Sequence, residues 1–333
     1  MAVELTLSCD DTDITRALLI GEVDPDGVDF TTDTTYPPRR HRQFCRTDAY
    51  DVAELCLASY VASRATPEEY PFTAIPVFPS KTFRHAFFYK HVDAEVDELA
   101  ELAGKKVGVQ SWQTAANVWM RGISQEHYGL DLQSVTWYRR RQDDVDTAVP
   151  DRFDVRPVPG SQDGDAVEDP ADMKELLFSG ELDAAMDPSG SLLEAAAESD
   201  NVEFVFDDPL AEGRQYYEET GIHPIMHVVA IRDDVLEEHP WVADRIYGAF
   251  CEARDLGLER ARRPSYHMSL TWAHLHRLEQ REIMGSDAEV WEYGLTERTR
   301  RELAKFLEYA HDQGIADREY EPEELFVADP ADE

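Results

Sequence analysis

The residues of this chain that could do chemistry are two histidines, an arginine and a set of hydroxyls at the predicted ends of strands. His85 and His227 lie in the apolar stretches FRHAFFY and HPIMHVVAI. An imidazole gains or loses a proton near neutral pH, so either could act as acid or base. Burying His227 beside Val and Ile leaves a polar ring that needs a partner. It reads as a proton donor or acceptor, or else as a hydrogen-bonded core histidine. Arg84 immediately precedes His85, and its planar fork suits a carboxylate. Neighbours on a strand point to opposite faces. One of Arg84 and His85 is therefore expected to enter a site while the other is buried. Asp10 follows the first predicted strand as a candidate base or orienter, with Arg16 as a second cation.

Other candidates sit where a strand gives way to a helix. In Gln110-Ser111-Trp112-Gln113-Thr114, free N–H groups at the helix start would attract an anion. The Ser111 and Thr114 hydroxyls would bind a carboxylate and Trp112 would stack on an aromatic ring, or Ser111 and Thr114 are simply N-caps. Ser59 and Tyr60 open another helix in the same way. Asp187, before Pro188, closes a strand, and His223 lies four residues before His227. No metal site is expected. Cys9, Cys45, Cys56 and Cys251 are scattered. His274 and His276 are two apart, on different helix faces, with His267 further off. The 24–27 stretch D-P-D-G lacks the Glu of a calcium loop and reads as a turn. The basic runs at 39–42 and 139–141 are expected to pair with neighbouring acids. There is no phosphate loop and no G-x-S-x-G elbow.

Alternating elements must position these groups. Strands are expected at 3–9, 28–32, 52–57, 73–78, 83–90, 106–110, 134–138, 182–186, 202–206 and 223–231. Helices are expected at 13–20 (capped by Asp11 or Thr12), 95–102, 114–128, 173–179, 240–261, 269–283 and 296–313. The acidic stretch 160–170 reads as a solvated loop and 328–333 as a frayed tail. This order predicts an α/β protein of two lobes, 1–92 plus 227–333 and 93–226. The chain would cross between them near 90–94 and 222–228, a double crossover hinge, with ligand in the cleft.

The charge narrows the partners. With 69 Asp+Glu against 32 Lys+Arg, the 333-residue chain carries −37. That disfavours nucleic acid and anionic membrane surfaces. No apolar run approaches the ~20 residues a membrane span needs. The N-terminus lacks a basic, apolar leader, so a cytoplasmic protein is expected. Six of the 32 basic residues are Lys and the rest Arg. An acidic, Lys-poor composition resembles that of salt-accumulating halophiles.

Longer phrases carry a family resemblance. AIPVFPSKTFRHAFFY (74–89), LAGKKVGVQSWQTAANVWMRGI (102–123) and TGIHPIMHVVAIRDDVLEEHPWVADRIYGAF (220–250) resemble the 4,5-dihydroxyphthalate decarboxylase family. DVAELCLASY (51–60), MGSDAEVWEYGL (284–295), YAHDQGI and EPEELF fit the same pattern. The resemblance implies a type II periplasmic-binding-protein-like fold. It also implies cofactor-independent loss of CO₂ from a hydroxylated aromatic dicarboxylate, giving protocatechuate. Its partner would be a small aromatic carboxylate, and a homo-oligomer is left open. The site would need an acid, a base and a cationic clamp. An anionic substrate would need a cleft locally more positive than the acidic surface, supplied by Arg84, Arg16 or a helix N-terminus. The alternatives are a non-catalytic cytosolic substrate-binding protein of the ABC-transporter type, or another enzyme on the same scaffold.

Overall fold

The computed structural model describes residues 2–159, 171–263 and 269–327. The expectations for 160–170, His267 and 328–333 lie outside them. Two sheets organise the chain. The first runs in the order β2 (Val28–Asp33), β1 (Val3–Ser8), β3 (Val52–Cys56), β11 (Ile225–Arg232), β4 (Phe72–Lys81). The second runs β10 (Val202–Phe204), β5 (Phe88–His91), β9 (Ala184–Met186), β6 (Lys106–Val109), β7 (Thr136–Arg139), β8 (Asp154–Pro157). β1 is parallel to β2 and β3, whereas β11 runs antiparallel to β3 and β4. In the second sheet β6, β7, β8 and β9 are parallel, and β5 runs against β9 and β10.

The chain therefore passes from the first sheet to the second between β4 and β5 and returns between β10 and β11. β5, placed before residue 93 by the sequence, pairs in the second sheet. Ile225 and Met226, placed with the other lobe, belong to a strand of the first. The two passages touch: the Thr82 N–H donates to the Pro224 carbonyl at 3.0 Å.

The helices are α1 (Arg16–Leu19), α2 (Pro37–Arg46), α3 (Leu57–Ser63), α4 (Ala115–Tyr128), α5 (Ala171–Phe178), α6 (Gly190–Ala197), α7 (Pro209–Thr220), α8 (Asp233–Glu238), α9 (Val242–Arg262), α10 (Ala273–Met284), α11 (Asp287–Val290) and α12 (Glu297–Asp312). Several differ from expectation. α1 shrinks to one turn with Thr15 at its N-cap and no side-chain cap. At 95–102 there is only a 3-10 turn, Leu99–Leu102, capped by Glu98 and Glu101. The strand expected at 83–90 is broken by a 3-10 turn at His85–Phe87. α2 was not expected: its arginines masked a helix start signalled by Pro37 and Pro38, whose fixed φ suits the first turn. α4 ends as expected at Gly129, in the left-handed region at φ +71°.

α12 ties the lobes together. Trp112 of the second lobe is buried, and its indole N–H donates to Gln313 O at 3.0 Å. Arg121 lies 3.8 Å over the Trp112 ring and donates to Gln313 Oε1 at 2.8 Å. Across the opposite rim, Arg46 of α2 grips Asp146 with two 2.7 Å bonds and the Asp144 carbonyl at 2.9 Å.

Candidate active site

A cavity of about 250 Å³ opens between the two sheets. Its basic and imidazole groups are Arg84, Arg141, His41 and His227; among the described residues no Asp or Glu lines it. In a chain of −37 this is a local positive exception. The starts of α2, α4 and α6 also face it, through Pro37, Thr114 with Ala115, and Ser189 with Gly190. α2 begins with two prolines and offers few N–H groups there, but α4 and α6 present theirs with the positive ends of their dipoles.

β-sheet register places the central pair. In β11 and β3, His227 lies opposite Cys56, and Glu54 is two residues along on the same face of β3. The β11–β4 register shifts on either side of His227, a bulge that re-aims the side chain. His227 Nδ1 lies 2.5 Å from Glu54 Oε1, leaving Nε2 as the ring nitrogen free for a ligand. Glu54 is buried, and three further contacts, from Asp10 and Arg40, hold it. The Asp10 N–H donates to its Oε2 at 2.8 Å, Arg40 Nη2 lies 3.3 Å from the same oxygen, and Arg40 Nε donates to its carbonyl at 3.0 Å. Burial alone would raise the Glu54 pKa; Arg40 and the His227 contact outweigh it and hold the carboxyl at about 2.

His41 packs on His227 edge to face, ring centroids 4.8 Å apart. Burial, with His227, Arg40 and Arg141 nearby, pushes the His41 pKa well below the usual histidine range, so this ring is neutral. Arg141 is held by Asp144 at 2.8 Å, and Asp144 in turn accepts the Ser59 hydroxyl at 3.1 Å. Arg84 differs. It donates to Met226 Sδ at 3.3 Å and lies 5.2 Å over Phe87, and among the described residues no carboxylate pairs with it. Burial lowers its pKa to about 10, which leaves it charged at neutral pH.

Of the residues singled out from sequence, His227, Arg84, Gln110 and Thr114 line this cavity. The others do not, and each has a reason. His85, beginning the 3-10 turn, packs its ring on Phe206 and Tyr216 and faces a different cavity. Asp10 is taken by Arg40 at 2.9 Å, so it acts behind Glu54. Arg16 pairs with Asp11 at the surface. Ser59 supports Asp144, and Tyr60 is buried, accepting the Ala74 N–H at 3.1 Å and bonding the Leu325 carbonyl. Ser111 is buried against Thr114 at 2.7 Å, and Trp112 is core. Asp187 is buried, accepting the Ser189 N–H at 2.9 Å, one residue short of the cavity wall. His223 stacks on Phe83 at 5.0 Å beside the second passage between sheets.

Sequence reasoning missed Glu54, Arg40, His41 and Arg141. Glu54 had a readable signal, a carboxylate inside the strand VAELC. Arg40, Arg139 and Arg141 pair with acids, as expected of the basic runs. Among the described residues, one acid–imidazole set could ligate a cation: single ligand atoms of Asp10, Glu54 and His227 lie within 4.8 Å of one another. Arg40 already contacts both of those carboxylates, so a metal there would compete with a fixed guanidinium.

Two α/β lobes joined by two strand passages, with an anion-favouring cleft between them, define a type II periplasmic-binding-protein-like fold. Solved structures of that architecture agree. The periplasmic aliphatic sulphonate binding protein SsuA of Escherichia coli matches with a TM-score of 0.56 and 11% identity, over 98% of both chains. The alkanesulfonate-binding protein SsuA of Xanthomonas axonopodis pv. citri gives 0.57 and 11%, again over 98% of each. No family model matches the chain. Among curated proteins it is 30% identical to a 4,5-dihydroxyphthalate decarboxylase of Comamonas testosteroni over 331 residues, 97% of this chain and 96% of the relative. It is 32% identical to one of Pseudomonas putida over 202 residues, 61% of this chain and 76% of the relative. The chain belongs to the 4,5-dihydroxyphthalate decarboxylase family.

Proposed function

We propose that the cleft removes CO₂ from 4,5-dihydroxyphthalate, giving protocatechuate. The observation that carries this reading is an imidazole backed by a buried carboxylate in a cleft with two guanidinium groups and, among the described residues, no lining acid. His227, protonated and balanced by Glu54, gives its Nε2 proton to the ring carbon bearing the departing carboxylate. The hydroxyl para to that carbon pushes electrons into the ring and releases its proton to solvent. The carbon–carbon bond then breaks, CO₂ leaves, its bonding electrons restore the aromatic ring, and the hydroxyl regains a proton. One proton is consumed per turnover, and His227 is reloaded from solvent. Arg84, which no carboxylate pairs among the described residues, clamps the carboxylate that stays. Arg141 and the start of α4 add positive potential, Asp10 and Arg40 position the pair from behind, and His41 packs beside His227 on the cavity wall.

The names of the curated relatives favour this over a binding-only role. The acidic, Lys-poor composition supports a cytoplasmic enzyme adapted to salt; among the described residues no helix is long and apolar enough to cross a membrane. The test is incubation of the purified protein with 4,5-dihydroxyphthalate at high salt, following CO₂ and protocatechuate. Binding without turnover would replace the enzymatic reading with a receptor.

A further inference from the structure

One face of the molecule breaks the pattern of its surface. Among the described residues, the exposed large apolar side chains include Leu210, Leu270, Trp272, Leu275 and Leu278. Trp272, Leu275 and Leu278 follow one another at the start and along α10, three residues apart. Leu210 and Leu270 line the mouth of a groove of about 460 Å³ between α7 and α10, walled by Phe83, Tyr217, Ile283 and Met284. The Arg214–Glu279 ion pair, 2.8 Å, bridges the same two helices. The α10 wall of this groove, His276, Glu279 and Ile283, turns toward α7, whereas Leu275 and Leu278 protrude from the outer side of the helix. Contiguous apolar surface of this kind is uncommon on a monomer.

Its charge is equally unusual. Residues 269–284 hold two Arg (Arg277, Arg281) and two Glu (Glu279, Glu282), so they carry no net charge in a chain of −37. Two copies of this protein repel one another over most of their surfaces, and this is where they would repel least. The charges are also ordered. His274, Leu278 and Glu282 are four apart and exposed, which makes them a single column on the outer face of α10. An antiparallel pair of α10 helices related by a two-fold axis at Leu278 sets Leu278 against its own copy. It also sets each His274 against the partner's Glu282. An isologous interface needs this self-complementarity, with residue i meeting j and j meeting i.

We propose that the α10 face is the docking surface for a second copy of this chain, in a two-fold dimer centred on Leu278. The inference does not depend on the reaction in the cleft, which lies elsewhere on the molecule. Leu278, with Leu275 beside it, supplies the apolar contact at the axis, and the His274–Glu282 contacts set the antiparallel register.

Analytical ultracentrifugation of the full chain at high salt tests it, over a range of protein concentrations. The expected mass is that of two copies. Leu278→Asp puts two carboxylates face to face on the axis and should weaken association about 100-fold, with the circular dichroism spectrum of the fold retained. His274→Glu sets four carboxylates around the axis and should weaken it as well; His274→Glu combined with Glu282→His restores the complementary order and should recover dimerisation. A wild-type chain that stays monomeric at every concentration overturns the proposal. So does an oligomer indifferent to Leu278→Asp, or a swap that fails to rescue.

Discussion

His227 Nδ1 and Glu54 Oε1 are 2.5 Å apart although 173 residues separate them in the chain. The contact exists because β11 lies antiparallel to β3 and bulges at His227, bringing the ring over a carboxylate that Arg40 and the Asp10 N–H keep ionised. A buried carboxylate orienting an imidazole fixes which ring nitrogen faces the substrate and stabilises the imidazolium.

His227→Asn is expected to lower kcat by about 10²–10⁴-fold, the usual contribution of a positioned proton donor. Steady-state turnover of 4,5-dihydroxyphthalate measures it, and a kcat within a few-fold of wild type would remove His227 from the mechanism.

Arg84→Met should act on substrate affinity, raising KM by more than it lowers kcat. Losing a charge-assisted contact costs about 2 kcal/mol, or roughly 30-fold. The variant should also lose its preference for the dicarboxylate over a hydroxybenzoate that carries a single carboxylate. A variant with wild-type KM would show that Arg84 is not the clamp.

Lys81 and Glu302 form a fully buried ion pair at 2.8 Å, and Glu302 also accepts the His223 N–H at 3.3 Å. Burial opposes the charge on both: it lowers the Lys81 pKa and raises that of Glu302. Glu302→Leu alone strands the ammonium and should cost about 3–5 kcal/mol in urea unfolding. Lys81→Met together with Glu302→Leu should cost much less. Equal losses in the single and double variants would contradict this account.

Acid should destabilise the fold before the carboxylates titrate. Burial lowers His223 to about 3 and His85 to about 4, and pushes His41 well down. Between the ordinary histidine value near 6.5 and these folded values the unfolded chain binds protons that the folded chain refuses. Stability therefore falls as pH drops below about 6.5, by roughly 1.4 kcal/mol per unit for each such ring. His223→Phe, which keeps a ring against Phe83, should reduce that slope by one proton's worth. Urea midpoints across this range measure it, and an unchanged slope would mean that His223 is already charged in the folded protein.

The sequence alone determined the α/β class, the two-lobed plan and the family. Alternating apolar runs, the Gly129 stop and long local phrases are properties of neighbouring residues, readable without a fold. It also placed Arg84 and His227 beside the two crossings between lobes, and Gln110 and Thr114 where a strand gives way to a helix. Only the tertiary structure decided what completes the site. Glu54 faces His227 through a strand pairing across 173 residues, and Arg40 reaches Glu54 and Asp10 through α2, a helix that its own run of charge concealed. His85 left the site because a single 3-10 turn rotates it away from Arg84, and Asp10 moved behind it because Arg40 claims its carboxylate. Local sequence sets which residues can do chemistry; register, bulges and ion pairs between distant segments set which of them meet.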